Sequence, residues 1–190
     1  AVCPSSIDFG QTIQCSISTS GETDAYTFNA NEGDKVLVRM SSPSGFPGPK
    51  IRVYSSDGIK LCEKLYQYLS STAEIASCTL PTNGIYSILA YDGFDGTFTG
   101  DYYLFMQRLN NPGGSVSIAF GQTLPGSITT PAEMDTYTFS AIAGDEVLVR
   151  MSTSSGSPGP EIRVYNPDGT KLCEKKYQTF SSTAEISSCT

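Results

Sequence analysis

Six cysteines, a set of acidic turns and no histidine are the side chains of this sequence on which chemistry could rest. Without an imidazole there is no ordinary base working near neutral pH, and the abundant serines have no identifiable partner to activate one. Asp92, Asp95 and Asp101 fall close together in DGFDGTFTGD, and a carboxylate pair drawn from them, doing glycosidase-like work, is the one catalytic arrangement left open. Asp-Gly in a loop is usually only a turn, so the chain reads as non-enzymatic. The same loop suits calcium better, because that ion takes several carboxylate and carbonyl oxygens from a flexible loop, although the spacing is not that of an EF-hand. Phe94 and Phe98 sit in this loop, where burial is difficult, and could form a platform for a sugar or a contact with another protein.

What positions these residues is a duplication. Ile51–Cys78 returns as Ile162–Cys189 at an offset of 111, and the same offset aligns Ile7–Thr79 with Ile118–Thr190 without a gap. Roughly two-thirds of the aligned positions are identical, which marks a tandem repeat. The second copy stops at the counterpart of Thr79, so it lacks everything equivalent to Leu80–Asn110. The repeat also orders the cysteines. Cys62 and Cys78 recur together as Cys173 and Cys189, whereas Cys3 and Cys15 fall opposite Gly114 and Gly126 and are lost together. Residues gained and lost in pairs are expected to bond in pairs: Cys3–Cys15, Cys62–Cys78 and Cys173–Cys189. Each would close a short loop, worth about 3 kcal/mol in the chain-entropy picture, and a full disulfide set implies an oxidising compartment.

The net charge of −7 and pI near 4.5 disfavour nucleic acid and anionic membrane surfaces. No apolar run reaches the ~20 residues needed to cross a bilayer, and no basic-then-apolar leader opens the sequence. A start at Ala1 fits a processed or excised chain. No Asn-x-Ser/Thr sequon occurs, so N-glycans are not expected.

Short alternating segments separated by Gly, Pro, Asn and Asp predict about eight strands per unit: Gln11–Ser18, Ala25–Ala30, Lys35–Met40, Ile51–Tyr54, Lys60–Tyr66, Ala73–Leu80, Ile85–Tyr91 and Gly100–Leu109. Gln11–Ser18 alternates as an outer strand, while Lys35–Met40 is apolar on both faces except at Arg39 and reads as central. Asp57-Gly58 should return Lys60–Tyr66 antiparallel to Ile51–Tyr54. Alternation puts Tyr103 and Phe105 on one face and Tyr102 and Leu104 on the other. No segment has a helical period. The fold class expected is all-β: tandem antiparallel jelly-roll-like β-sandwiches, with residues 1–110 a complete repeat, 111–117 a short linker and 118–190 a second copy lacking its last two strands.

The stretches Gly10-Gln11-Thr12, Gly21–Phe28, Gly33–Val38, Ile51–Gly58, Leu80–Tyr86 and Gly100–Leu104 resemble the bacterial pre-peptidase C-terminal domain. That family, related to collagenase collagen-binding domains, implies an eight-stranded sandwich appended to secreted enzymes and surface proteins. In its calcium-binding relatives, acids near the second of these turns contribute ligands, which by resemblance points to Glu22 and Asp24 and to their counterparts Glu133 and Asp135. Solvated turn acids are the plainer reading of these and of the loop aspartates.

The function expected is a secreted or cell-surface structural or adhesive repeat that self-associates into a homopolymer or array, its missing strands filled from the continuing chain or from an adjacent subunit. The alternative is an accessory module of a secreted enzyme, binding polysaccharide or a fibrous protein.

Overall fold

The computed structural model describes residues 3–67, 70–154, 159–177 and 181–190, so Tyr68 and Leu69 of the expected Ser/Thr loop lie outside the described residues. All regular structure among the described residues is β, and no helix is long and apolar enough to cross a membrane.

The first repeat contains β1 (Gln11–Ile17), β2 (Thr23–Ala30), β3 (Lys35–Ser41), β4 (Pro49–Tyr54), β5 (Lys60–Leu65), β6 (Thr72–Thr79), β7 (Gly84–Asp92) and β8 (Gly100–Arg108). They form two four-stranded sheets, β1-β8-β3-β6 and β2-β7-β4-β5, with antiparallel pairing throughout. Period-two alternation sends Ile13, Cys15 and Ile17 of β1, Val36, Val38 and Met40 of β3, and Tyr102, Leu104 and Met106 of β8 into one core from one side. Tyr26 and Phe28 of β2, Ile51 and Val53 of β4, and Tyr86, Ile88 and Ala90 of β7 meet them from the other. β1 is an edge and β3 is interior, as their patterns predict. The strands contributed by Leu80–Asn110 occupy less expected places. Each lies inside its sheet: β7 is the sole ladder partner of β2 and joins it to β4, and β8 does the same for β1 and β3.

The second repeat shows what remains without them. β11 (Val147–Ser152) pairs with β14 (Thr183–Cys189), and β12 (Glu161–Tyr165) pairs with β13 (Lys171–Lys176). These reproduce β3 with β6 and β4 with β5 at the repeat offset, down to the register shift that follows Val36 and Val147. Residues 122–128, which correspond to β1, form no strand, and the β2 counterpart shrinks to β10 (Tyr137–Thr138), held parallel to β9 (Val116–Ser117). A strand whose only partner is absent has nowhere to place its backbone hydrogen bonds except water. The core shrinks accordingly to Val164, Ile186 and Cys189, with Val147, Val149, Ile162 and Cys173 half-buried around it. Leu37 in the first repeat is 0 % exposed while its counterpart Leu148 is 59 % exposed.

The linker holds the repeats against each other. The buried Gln107 side chain donates to the Gly113 carbonyl and to Thr136 Oγ1, both at 2.9 Å, and accepts from the Gly113 amide at 3.1 Å. Gly113 has to be glycine here, since a Cβ would sit 2.7 Å from the Phe9 carbonyl oxygen. On the far side Gly169, at φ +79°, brings the β12-β13 turn so close that a Cβ would lie 3.1 Å from the Asn110 amide.

One backbone position separates the repeats locally. Gly21 turns with φ 79°, and its counterpart Ala132 is held at φ 70°, a left-handed conformation that costs an L-residue about 1–2 kcal/mol. Ala132→Gly is therefore expected to stabilise the second repeat by about 0.5–1 kcal/mol after the added unfolded-state entropy of glycine, measurable as a rise in its unfolding midpoint. The reciprocal Gly21→Ala should destabilise the first.

Candidate functional site

Of the acidic residues singled out in the sequence, Glu22, Glu133, Asp92 and Asp95 are engaged by nearby turn and loop groups. Glu22 Oε2 accepts from the Ser18 amide at 2.5 Å and hydroxyl at 2.7 Å and from the Thr19 amide at 2.7 Å; the Ser18 hydroxyl and these amides hold its carboxyl below the usual range. Glu133 caps Thr129 and Thr130 in the same way, and these bonds outweigh burial to lower its pKa. Asp92 is buried and organises the glycine-rich loop, accepting amides from Gly48 and Gly96 at 2.9 Å and from Phe94 and Phe98 at 3.3 Å. Asp95 accepts from Thr97, and Asp101 is exposed on β8. Among the described residues the one group of three potential ligands drawn together is Cys3, Cys15 and Asp24, and its two cysteines are bonded to each other.

All three disulfides expected from the repeat are present: Cys3–Cys15, Cys62–Cys78 and Cys173–Cys189, with Cα separations of 5.6, 6.1 and 6.1 Å. The last two tie the edge strands of the two sheets, β5 to β6 and β13 to β14. Phe94 and Phe98 meet edge to face at 5.4 Å, and Phe98 stacks at 4.3 Å on Phe46, so the loop carries an aromatic trio with Phe46 and Phe94 exposed. Phe46 has no aromatic counterpart in the second repeat, where residue 157 is Ser.

Two polar arrangements were not visible in the sequence. The first is a relay inside the complete sandwich: Tyr26 Oη donates to Tyr102 Oη at 2.5 Å, and Tyr102 donates to Asp24 at 2.5 Å. Burial pushes the Tyr26 phenol up to about 12 and Tyr102 further in the same direction, so both stay protonated. Burial also raises Asp24, against the lowering effect of the Tyr102 bond. In the second repeat Asp135 and Tyr137 recur, but the residue corresponding to Tyr102 belongs to the missing strand.

The second lies at the junction. Arg163, on the outer face of β12, donates to Glu161 at 2.7 Å and Glu174 at 2.9 Å within its own repeat and to Glu74 Oε1 at 2.6 Å in the first. Glu74 Oε2 takes Arg39 Nε at 2.7 Å, completing a bridge from one sheet of the first repeat to a hairpin of the second. Burial raises the Glu74 pKa, but Arg39 and Arg163 outweigh it and leave it lowered; burial likewise opposes, and Glu74 and Glu161 overcome it to raise Arg163. Lys35 adds a long pair to Asp168 at 3.8 Å. Arg39 and Glu74 sit mid-strand among apolar residues, and a charge at such a position was the available signal.

No protein-family model matches the chain, and no curated protein matches it. Among solved structures it is similar to the pre-peptidase C-terminal domain of collagenase from Bacillus anthracis, at 19% identity and a TM-score of 0.44 over 53% of this chain and 91% of that one. It is also similar to the periplasmic g-type lysozyme inhibitors PliG of Salmonella Typhimurium (22% identity, TM-score 0.38, 54% of this chain and 95% of that one) and Aeromonas hydrophila (16%, 0.38, 52% and 87%). The collagenase domain is of the type that the sequence itself resembles.

Tyr102→Phe should destabilise the first repeat by about 1–3 kcal/mol, because Asp24 loses its donor and Tyr26 its acceptor in a buried setting; denaturant unfolding reads this. The junction should be acid-sensitive. Glu74 has a folded pKa below its ordinary 4.5, so its contribution is fully present above 4.5 and is lost as pH falls through the lowered value. Hydrogen exchange at β3 and β12 should accelerate in that window, and Glu74→Gln should remove this part of the acid response.

Proposed function

We propose that the chain is an extracellular, non-catalytic structural or adhesive repeat whose second copy is completed by two strands from outside residues 118–190. One observation carries the reading: the strands that this copy lacks correspond to an interior strand of each sheet, β8 in one and β7 in the other. Their absence leaves one long edge of β11 and one of β12 unpaired and exposes Tyr137 and Phe139, whose counterparts Tyr26 and Phe28 are buried in the core. Burying a side chain of this size contributes about 1.5–3 kcal/mol, so a filling strand would gain from apolar contact as well as from ladder hydrogen bonds.

The register of such a donor follows from the first repeat. A strand patterned like β8 would lie between residues 122–128 and β11, as β8 lies between β1 and β3, with a tyrosine at the Tyr102 position placed to complete the Asp135 and Tyr137 pair. A strand patterned like β7 would lie between β10 and β12. Three disulfides support an oxidising, extracytoplasmic setting. The aromatic trio of Phe46, Phe94 and Phe98 favours a second reading, in which the first repeat binds a polysaccharide or fibrous protein through this patch.

A synthetic peptide covering Gly84–Arg108 tests the main reading. Added to the full chain, it should bind, raise the unfolding midpoint of the second repeat and slow amide exchange along β11 and β12. Absence of binding, or a second repeat already fully protected without peptide, would refute strand completion. Phe94→Ser should leave these responses unchanged while weakening the second reading's sugar or fibre binding.

A further inference from the structure

The junction between the repeats is a contact whose two sides each occur twice. One side is the outer face of the β1-β8-β3-β6 sheet, where Arg39 and Glu74 lie; the other is the outer face of β12, where Arg163 lies. Duplication places Arg150 and Glu185 on β11 and β14 as second versions of Arg39 and Glu74, and Arg52 on β4 as a second version of Arg163. Among the described residues these second versions meet no partner repeat. Arg163 has 9% of its side chain exposed against 31% for Arg52, and Arg39 has 18% against 60% for Arg150.

We propose that the Arg52 face of one chain docks on the Arg150–Glu185 face of a second copy of this chain, head to tail, as Arg163 docks on Glu74 inside the chain. Three further features fit that occupant. Glu185 uses Oε2 for Arg150 Nε at 2.6 Å, and its Oε1, the atom that in Glu74 takes Arg163, has no partner among the described residues. The Arg52 face is short of negative charge: Arg163 has both Glu161 and Glu174, whereas Arg52, Lys50 and Lys60 share Glu63 alone. Beside them the buried Tyr91 hydroxyl has no hydrogen-bond partner, and Lys50 and Arg52 lie 5.5 and 5.1 Å from its ring.

The match is imperfect at one position, which sets the strength. The Lys35–Asp168 pair of the internal junction becomes Glu146 and Asp57 between chains, two acids in place of an ion pair. Docking between chains is therefore weaker than within, and salt-sensitive. Because the two faces differ, the contact is heterologous and propagates into a ring or an open filament instead of closing as a dimer. It uses the outer faces of the sheets, so it does not depend on the strand completion proposed above.

Sedimentation velocity on the full chain over a concentration series tests it. The unsubstituted chain should associate. Arg52→Glu and Glu185→Arg should each weaken association at least about tenfold, while a 1:1 mixture of the two variants should regain it, since each reversed face then meets its complement. Carbodiimide coupling in a mixture of isotopically light and heavy chains should yield a mixed Lys50–Glu185 cross-link, a readout that a folding defect in a variant does not imitate. Association should persist when the Gly84–Arg108 peptide is saturating. A chain that stays monomeric, association indifferent to both reversals, or association abolished by the peptide alone would overturn head-to-tail docking; the last result would assign assembly to strand sharing.

Discussion

The backbone of each sheet depends on one interior strand. A β-strand must place an amide and a carbonyl at every residue, and β1 and β2 have β8 and β7 as their ladder partners, β2 adding only a single bridge at Thr27 to Ser5–Ile7. Remove those two strands and the loss is not confined to an edge. Each sheet parts into a surviving pair of strands and a segment cut off from it, residues 122–128 forming no strand and β10 pairing only with the two-residue β9, which is the state of the second repeat. The disulfide Cys173–Cys189 then matters more than its counterpart does, because the two strand pairs it ties share only a small core.

The same dependence explains why nearly identical sequences behave differently side by side. Val, Leu, Val, Arg, Met and Ser stand in the same order in β3 and β11, yet β3 lies between two strands and β11 has one. Burial follows from neighbours and not from type: Val38 is fully buried in the core while Val149 is half-buried, and Leu37, on the face with Arg39, is buried where Leu148 is exposed. Strand propensity is in this sense a statement about fitting a half-buried pleated surface, and it fails where the surface is absent.

At the junction a different balance holds. Arg163 is withdrawn from water among three carboxylates, and Glu74 between two guanidinium groups, so each charge is desolvated and fully paired. Such a network adds little net stability beside an apolar contact of the same size, but a mismatched partner would leave a charge buried and alone, which is costly. Its value lies in fixing how the repeats meet. The buried amide of Gln107, bonded to the linker at Gly113 and to Thr136, adds a second tie between the repeats.

The sequence by itself determined the all-β class, the eight strands of the first repeat to within two residues, and all three disulfide pairs. Those features rest on period-two alternation, on Gly and Asn/Asp turns, and on a duplication that shows which cysteines travel together; all are local or internal to the chain. It also showed that two strands were absent from the second copy. Only the tertiary structure decided that these are interior strands, because sheet order pairs segments far apart in sequence and nothing in the alternation of β7 or β8 names its neighbours. The acidic residues show the same limit. Asp92 and Asp95 by type and spacing, and Glu22 by resemblance, are candidate ligands in the sequence, and only the folded turns bring backbone amides to both oxygens of Asp92, to Glu22 Oε2 and to Asp95 Oδ1. Arg163 and Glu74, 89 residues apart, became partners only when two sheets were set face to face.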